Sequence, residues 1–105
     1  MAYRAALRAA PGDTAARVGL AMNEGAAGGD ALDRAARQLD QIAAERPRDQ
    51  LVAFNRAWVD FYRRDVARTR NGLRSAVTLG PETRLGLAAT ALLEALDQGA
   101  LGAGP

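Results

Sequence analysis

The stretch DVARTRNGLRSAVTLGP, from Asp65 to Pro81, decides the fold that the sequence predicts. Its residues Thr69, Leu73 and Ala76 are spaced four and three apart, so they lie on one face of a helix. The final proline cannot continue that helix, because it lacks a backbone N–H and clashes with the preceding turn. We therefore expect a helix over residues 66–79 that stops before the proline, and a second helix after it.

The same arrangement recurs around three prolines. Pro81 lies 34 residues after Pro47, and Pro47 lies 36 residues after Pro11. The glycine-rich loop GAAGGD (Gly25–Asp30) can hold the two extra residues. Matching positions before the prolines hold Tyr3 and Ala6, Leu39 and Ile42, and Leu73 and Ala76, preceded in the last two cases by Ala35 and Thr69. Self-similarity at this period is typical of helix–turn–helix repeats.

Small residues mark the expected helix crossings. Ala21, Ala57 and Ala91 each lie ten residues past a proline, where a small side chain allows two helix backbones to approach closely. The Asn71–Gly72 pair is a common hairpin signal, but no strand-like alternation flanks it. We therefore interpret Gly72 as another small residue at a crossing.

The prolines and the loop divide the chain into six predicted helices. We expect them near residues 2–10, 14–26, 31–45, 50–63, 66–79 and 83–98. The residues expected to act as N-caps, each with a side-chain oxygen that can accept a free helical N–H, are Asp13, Asp30, Asp49 and Thr83. Residues 1–98 are then one helical domain, and residues 99–105 are a flexible tail or linker.

The pattern resembles the tetratricopeptide repeat family. DVARTRNGLRSAVTLGP looks like the second helix of such a repeat, and YRAALRAAPGD, which begins at Tyr3, looks like the end of an earlier one. The resemblance covers roughly residues 2–98. It implies an all-α fold of antiparallel helix–turn–helix repeats, stacked as a short right-handed solenoid of about two and a half repeats. The array begins in mid-repeat, which suggests that more chain once preceded Tyr3.

The first helices of the repeats match the family less well. Where the family places large apolar residues, this chain has charged residues such as Arg17 and Glu24, or Arg56 and Asp60, which would need compensation in a core. The acids Glu24, Asp60 and Glu94 recur thirteen residues past each proline, and we expect them at structural surface positions. The apolar stripe lies one residue later, as Val18, Ala21, Met22 and Gly25, then Phe54, Ala57, Trp58 and Phe61, then Ala88, Ala91, Leu92 and Ala95.

Two interpretations of that stripe stay open. In the first, each first helix slides by one residue and the stripe is ordinary core, which we favour because a helix must bury its only apolar face. In the second, the alanines keep their family position and the stripe faces an open groove.

The segment FNRAWVDFYRRD, from Phe54 to Asp65, holds four of the five aromatic residues. The aromatic residues are either the centre of the core or a binding face, because interfaces concentrate Trp, Tyr and Arg at their hot spots. Asn55, Trp58 and Tyr62 are spaced three and four apart and share a face. In the resembled family, ligand peptides lie in a groove lined by the first helices, and Asn55 occupies a place where an asparagine often holds the peptide backbone. The candidate partner-binding residues are Asn55, Trp58, Tyr62, Arg63 and Arg64.

The arginines after this segment allow a different function. Arg63, Arg64, Arg68, Arg70 and Arg74 are close in sequence and could bind an acidic partner or a phosphate. They could equally form a self-neutralised, solvated surface, because Asp60 lies three and four residues before Arg63 and Arg64. All 14 basic residues are Arg and 12 acids nearly balance them, giving a net charge of +2. This bias is also typical of GC-rich coding, so a nucleic-acid partner is not favoured.

Composition argues against catalysis. The chain has no Cys and no His, which removes thiol chemistry and the commonest general base and metal ligand. Ser75 is its only serine, and GAAGG lacks the lysine of a phosphate-binding loop. There is no apolar run of membrane-spanning length and no secretory signal pattern. We therefore expect a cytoplasmic protein that is not an enzyme and needs no cofactor or metal.

The sequence as a whole predicts a protein–protein interaction module, a scaffold or adaptor that binds a protein or peptide through a rigid helical face. One alternative is a self-associating structural module, a homo-oligomer, because Leu85, Leu87, Leu92, Leu93 and Leu96 cover more than one face of the last helix. The other is an Arg-mediated binder of an acidic partner or nucleic acid, whose affinity would fall steeply with salt.

Overall fold

The computed structural model describes residues 12–99, which form five helices and no strand. The helices are α1 (Thr14–Gly25), α2 (Asp30–Glu45), α3 (Gln50–Tyr62), α4 (Val66–Leu79) and α5 (Arg84–Asp97). The all-α prediction is confirmed, and the bounds of these five helices agree closely with the predicted ones. The predicted helix over residues 2–10 and residues 100–105 of the predicted tail lie outside the described residues.

Side-chain caps begin four of these five helices. Asp13, Asp49, Asp65 and Thr83 each accept a hydrogen bond from a backbone N–H of the first turn, as predicted for three of them. The exception is α2. Gly29 occupies its N-cap position with a φ of 52°, a conformation that glycine adopts readily, and makes no side-chain cap. The prediction that Asp30 is the cap was wrong, because it is the first residue of the helix.

Each helix packs against the next one in the chain, and α3 also contacts both α1 and α5. Neither α2 with α4 nor α1 with α5 is in contact. Two clusters of buried apolar side chains result. One joins α1, α2 and α3 through residues that include Val18, Leu39, Ile42, Val52 and Val59. The other joins α3, α4 and α5 through Ala57, Leu73, Ala76, Ala89 and Leu96.

The apolar stripe of the first helices divides between core and surface. In α1, Val18, Ala21 and Gly25 are buried, which agrees with the interpretation as core. In α3, of the stripe only Ala57 is buried, and Phe54, Trp58 and Phe61 are half-buried. The other buried residues of α3 are Val52, Val59 and Asp60. The difference arises because α3 is central and contributes side chains to clusters on two of its sides.

The crossing of α3 and α4 depends on two small residues. Ala57 is completely buried, and a Cβ added at Gly72 would lie 2.9 Å from the Ala57 Cβ and 3.3 Å from its Cα. Two carbon atoms cannot approach that closely without a shift, so glycine permits this separation of the helices. The interpretation of Gly72 as a residue at a helix crossing is confirmed. Gly25 has the same role between α1 and α2, where an added Cβ would lie 2.8 Å from the Ala35 Cβ.

Exchanging the two small residues tests this crossing. Gly72→Ala alone raises helix propensity by about 1 kcal/mol. We nevertheless expect it to lower the free energy of unfolding, because overpacking of a core costs about 1–3 kcal/mol. Ala57→Gly removes the overlapping methyl group, so the double variant should be more stable than the two single effects predict. Urea unfolding of the four proteins gives the coupling free energy.

The matched control for this exchange is Asn71→Ala, at an exposed position of the same helix. It should leave stability unchanged or slightly raised. If Gly72→Ala stabilises the protein as much as Asn71→Ala does, the close approach of the two helices is contradicted.

Candidate functional site

Two adjoining concavities lie between α1 and α3. One has a volume of about 510 Å³ and is lined by Met22, Gly25, Ala26, Gly28, Leu32, Val59 and Tyr62. The other has a volume of about 430 Å³ and is lined by Ala15, Val18, Gly19, Met22, Asn23, Ala26, Leu51 and Asn55. They share Met22 and Ala26, and we call them together the α1/α3 groove. Among residues 12–99, no charged side chain lines either part.

The polar groups of the groove are two amides and a phenol. Asn55 is half-buried, and its Nδ2 donates a hydrogen bond to the Leu51 carbonyl at 2.8 Å. Its Oδ1 and second Nδ2–H remain available to a ligand. Tyr62 is 60% exposed. The sequence analysis did not single out Asn23 or Leu51. Leu51 lies four residues before Asn55, a spacing that could have placed it on the same face.

Trp58 is adjacent to the groove but does not line it. The side chain is half-buried and lines a pocket of about 10 Å³ with Ala57, Phe61, Thr69, Leu73 and Leu92. That volume has room for one water molecule at most. The indole stacks on the Tyr62 ring, with centroids 5.8 Å apart and an interplanar angle of 26°, and makes edge contacts with Phe54 and Phe61. Trp58 therefore supports Tyr62 from the side of α4 and α5.

The structure separates the two candidate arginines. The Arg63 guanidinium lies 3.1 Å from the Asp33 carboxylate of α2 and 3.8 Å from that of Asp60, so it fastens α3 to α2. Arg64 is exposed in the turn after α3, with a φ of 63°. Among the neighbouring arginines, Arg68 and Arg70 pair with carboxylates at 3.6 and 2.8 Å. Most of these arginines therefore help to neutralise the surface.

Asp60 is the buried member of an ionic network that extends to the surface at Asp40. Its side chain accepts a hydrogen bond from Arg56 Nη1 at 2.6 Å, and Arg56 Nε donates to Asp40 of α2 at 2.7 Å. Asp60 is only 4% exposed, so the expectation of a surface position was wrong for it, although Glu24 and Glu94 are exposed. The central position of α3 buries the carboxylate, and the guanidinium compensates its charge.

Burial also affects the proton equilibrium of Asp60. Removal from water disfavours the charged carboxylate and raises the pKa of Asp60 above its ordinary value of 3.8, while the Arg56 charge opposes this effect. The folded state therefore holds the proton more tightly than the unfolded state does.

Residues 12–99 give no indication of a metal site or of a membrane-spanning helix. In that part of the chain no group of His, Cys, Asp or Glu side chains is arranged to hold a metal ion. None of the helices there combines the length and the apolar character required to cross a membrane. No protein-family model, curated protein or solved structure matches the chain.

The raised pKa predicts how stability depends on pH. Because folding favours the protonated form, the stability that Asp60 contributes should be fully present below pH 3.8 and should decrease as the pH rises through the raised pKa. Asp60→Asn removes the titrating group. The difference in unfolding free energy between wild type and Asp60→Asn, measured by urea unfolding at several pH values, should therefore fall as pH rises. A difference that grows with pH would contradict the raised pKa.

Proposed function

We propose that the protein is a non-catalytic interaction module of tetratricopeptide-repeat type, which binds a peptide segment of a partner protein in the α1/α3 groove. The partner's backbone would lie against Asn55 and its apolar side chains against Met22 and Leu51. The chain has no cysteine, which suits the reducing cytoplasm, and that is the location we propose.

The contacts between helices support the repeat architecture. With α1, α3 and α5 as first helices and α2 and α4 as second helices, every helix packs on its successor. In addition, α3 contacts both of the other first helices, whereas the two second helices do not contact each other. An array with this asymmetry curves so that the first helices lie on its inner side. The described residues then amount to two repeats and a further first helix, and the sequence pattern over residues 2–10 predicts a second helix before them.

The uncharged lining of the groove is the observation that carries the choice of partner. An amide side chain both donates and accepts, so Asn55 can match the alternating N–H and C=O groups of a peptide. Met22, Leu51 and Tyr62 offer apolar surface next to it. A nucleic acid or phosphate ligand would need cationic side chains around it, and the described part of the chain places none in this groove. A peptide with apolar side chains is therefore the ligand that fits.

Selection from a random peptide library displayed on phage tests the proposal without knowledge of the partner. Peptides enriched on the wild-type protein should bind it in calorimetry and shift the fluorescence of Trp58, the only tryptophan. Asn55→Ala and Tyr62→Ala should each weaken binding about tenfold, or about 1.4 kcal/mol. Tyr62→Ala should change the unfolding free energy by less than about 0.5 kcal/mol, because the side chain is mostly exposed.

Controls separate this proposal from its alternatives. Arg74→Ala, at an exposed position of α4, should leave peptide binding unchanged. Trp58→Ala should cost about 1–3 kcal/mol of stability, less than the ~3–5 of a fully buried aromatic, and should also weaken binding because Tyr62 loses its stacking partner. Binding that is insensitive to Asn55 and Tyr62, but that is lost in Arg64→Ala and at high salt, would contradict a peptide groove and favour an acidic ligand.

A further inference from the structure

One face of α5 is uncovered within the described part of the chain. Leu87 is 61% exposed, and Ala91 and Glu94, which follow it at spacings of four and three, are exposed as well. We call these three residues the α5 face. The equivalent residues of α3 are less exposed. Ala53, which corresponds to Leu87, is half-buried, and Ala57, which corresponds to Ala91, is completely buried.

The internal repetition shows what covers the equivalent surface elsewhere. On α3 the covering helix is α4, whose Gly72 meets Ala57. On α1 the covering helix is α2, whose Ala35 meets Gly25, one turn beyond the equivalent position Ala21. Each covering helix has two buried residues that lie eight and five residues before a proline, and we call this spacing the covering pattern. These residues are Leu39 and Ile42 in α2, and Leu73 and Ala76 in α4. Within residues 12–99, no helix of this kind follows α5.

The sequence contains this covering pattern a third time, at Tyr3 and Ala6 before Pro11. The chain therefore carries three first helices and three covering patterns, but the third pattern precedes α1. It is joined to α1 by a few residues only, and α1 does not contact α5. A second copy of the chain is the source from which residues 2–10 can reach the α5 face.

Charge and side-chain size agree with this occupant. Residues 2–10 contain two arginines and no acid, whereas the α5 face carries the acid Glu94 and no basic residue. Five of the nine residues of the segment are alanines, which suits the close approach that Gly72 makes to Ala57 at the equivalent crossing.

We propose that the α5 face binds residues 2–10 of a second copy, so that copies associate head to tail, with residues 2–10 as the head and the α5 face as the tail. The surfaces on the two copies differ, and such an interface does not close on itself unless a ring forms. The association can therefore add further copies and extend the stack of helices. The inference uses the repeat architecture proposed above, but it does not depend on the groove or its ligand.

Sedimentation equilibrium of two complementary variants tests the proposal. Wild type should have a molar mass that rises above 11.0 kDa with concentration. Leu87→Glu removes the tail surface and Tyr3→Glu removes the head surface, so each variant alone should stay at 11.0 kDa. In an equimolar mixture, the intact head of one variant should bind the intact tail of the other and give a dimer that grows no further. Ala6→Glu is a second head variant if circular dichroism shows that Tyr3→Glu loses helix.

The control for the added charge is Ser75→Glu, at an exposed position of α4, which should associate like wild type. A wild type that stays monomeric at all concentrations would overturn the proposal. So would a Tyr3→Glu variant that still dimerises alone, because that result indicates a symmetric contact between two α5 faces. Peptide binding in the groove should be the same in Leu87→Glu as in wild type, so failure of this inference and failure of the proposed function are distinguishable.

Discussion

The close contact between Ala57 and Gly72 determines how the other helices are arranged around α3. Because neither residue has a side chain beyond Cβ, α4 lies against the middle of α3 and buries Ala57 completely. The core therefore gains stability from the close approach of backbones and from many small side chains, since aromatic residues are only 5% of the chain. Gln50 reinforces the arrangement, because its Nε2 donates to the carbonyl of Ala76 in α4 at 2.7 Å and to that of Gly80, directly after α4, at 2.9 Å.

The orientation of α3 that this contact sets also determines what remains open. Val52 and Val59 pack into the cluster with α1 and α2, and Ala57 packs into the cluster with α4 and α5. The face with Asn55 and Tyr62 is not covered by either cluster. Trp58, at its edge, lies next to the second cluster and stacks on the Tyr62 ring. In the proposed function this face is the binding surface, and Trp58 supports Tyr62 from outside the groove.

Much of the helical structure could be predicted from the sequence, because prolines, N-caps and the spacing of Leu73 and Ala76 are local signals. The role of Gly72 was also predictable, since no strand pattern surrounds it. The burial of Asp60 was not predictable from the sequence. It depends on neighbouring helices covering α3 from both sides and on the position of the Arg56 guanidinium in the folded protein. The division of the stripe between core and surface depends on the same central position, which has no signature within one helix. Asn55 and Tyr62 were identified from spacing, but the uncharged lining required the neighbouring helix α1.

The distance between α1 and α5 tests most directly the claim that the first helices lie in a row with α3 in the middle. The chain has no cysteine, so spin labels can be placed at cysteines introduced for Asn23 and Tyr62, or for Asn23 and Glu94. Pulsed dipolar spectroscopy then gives the α1–α3 and α1–α5 distances in samples diluted with unlabelled protein. The account predicts that the second distance exceeds the first by about one helix spacing, ~8–10 Å. Equal distances would show that α1 and α5 are neighbours in a closed bundle, and would contradict the account.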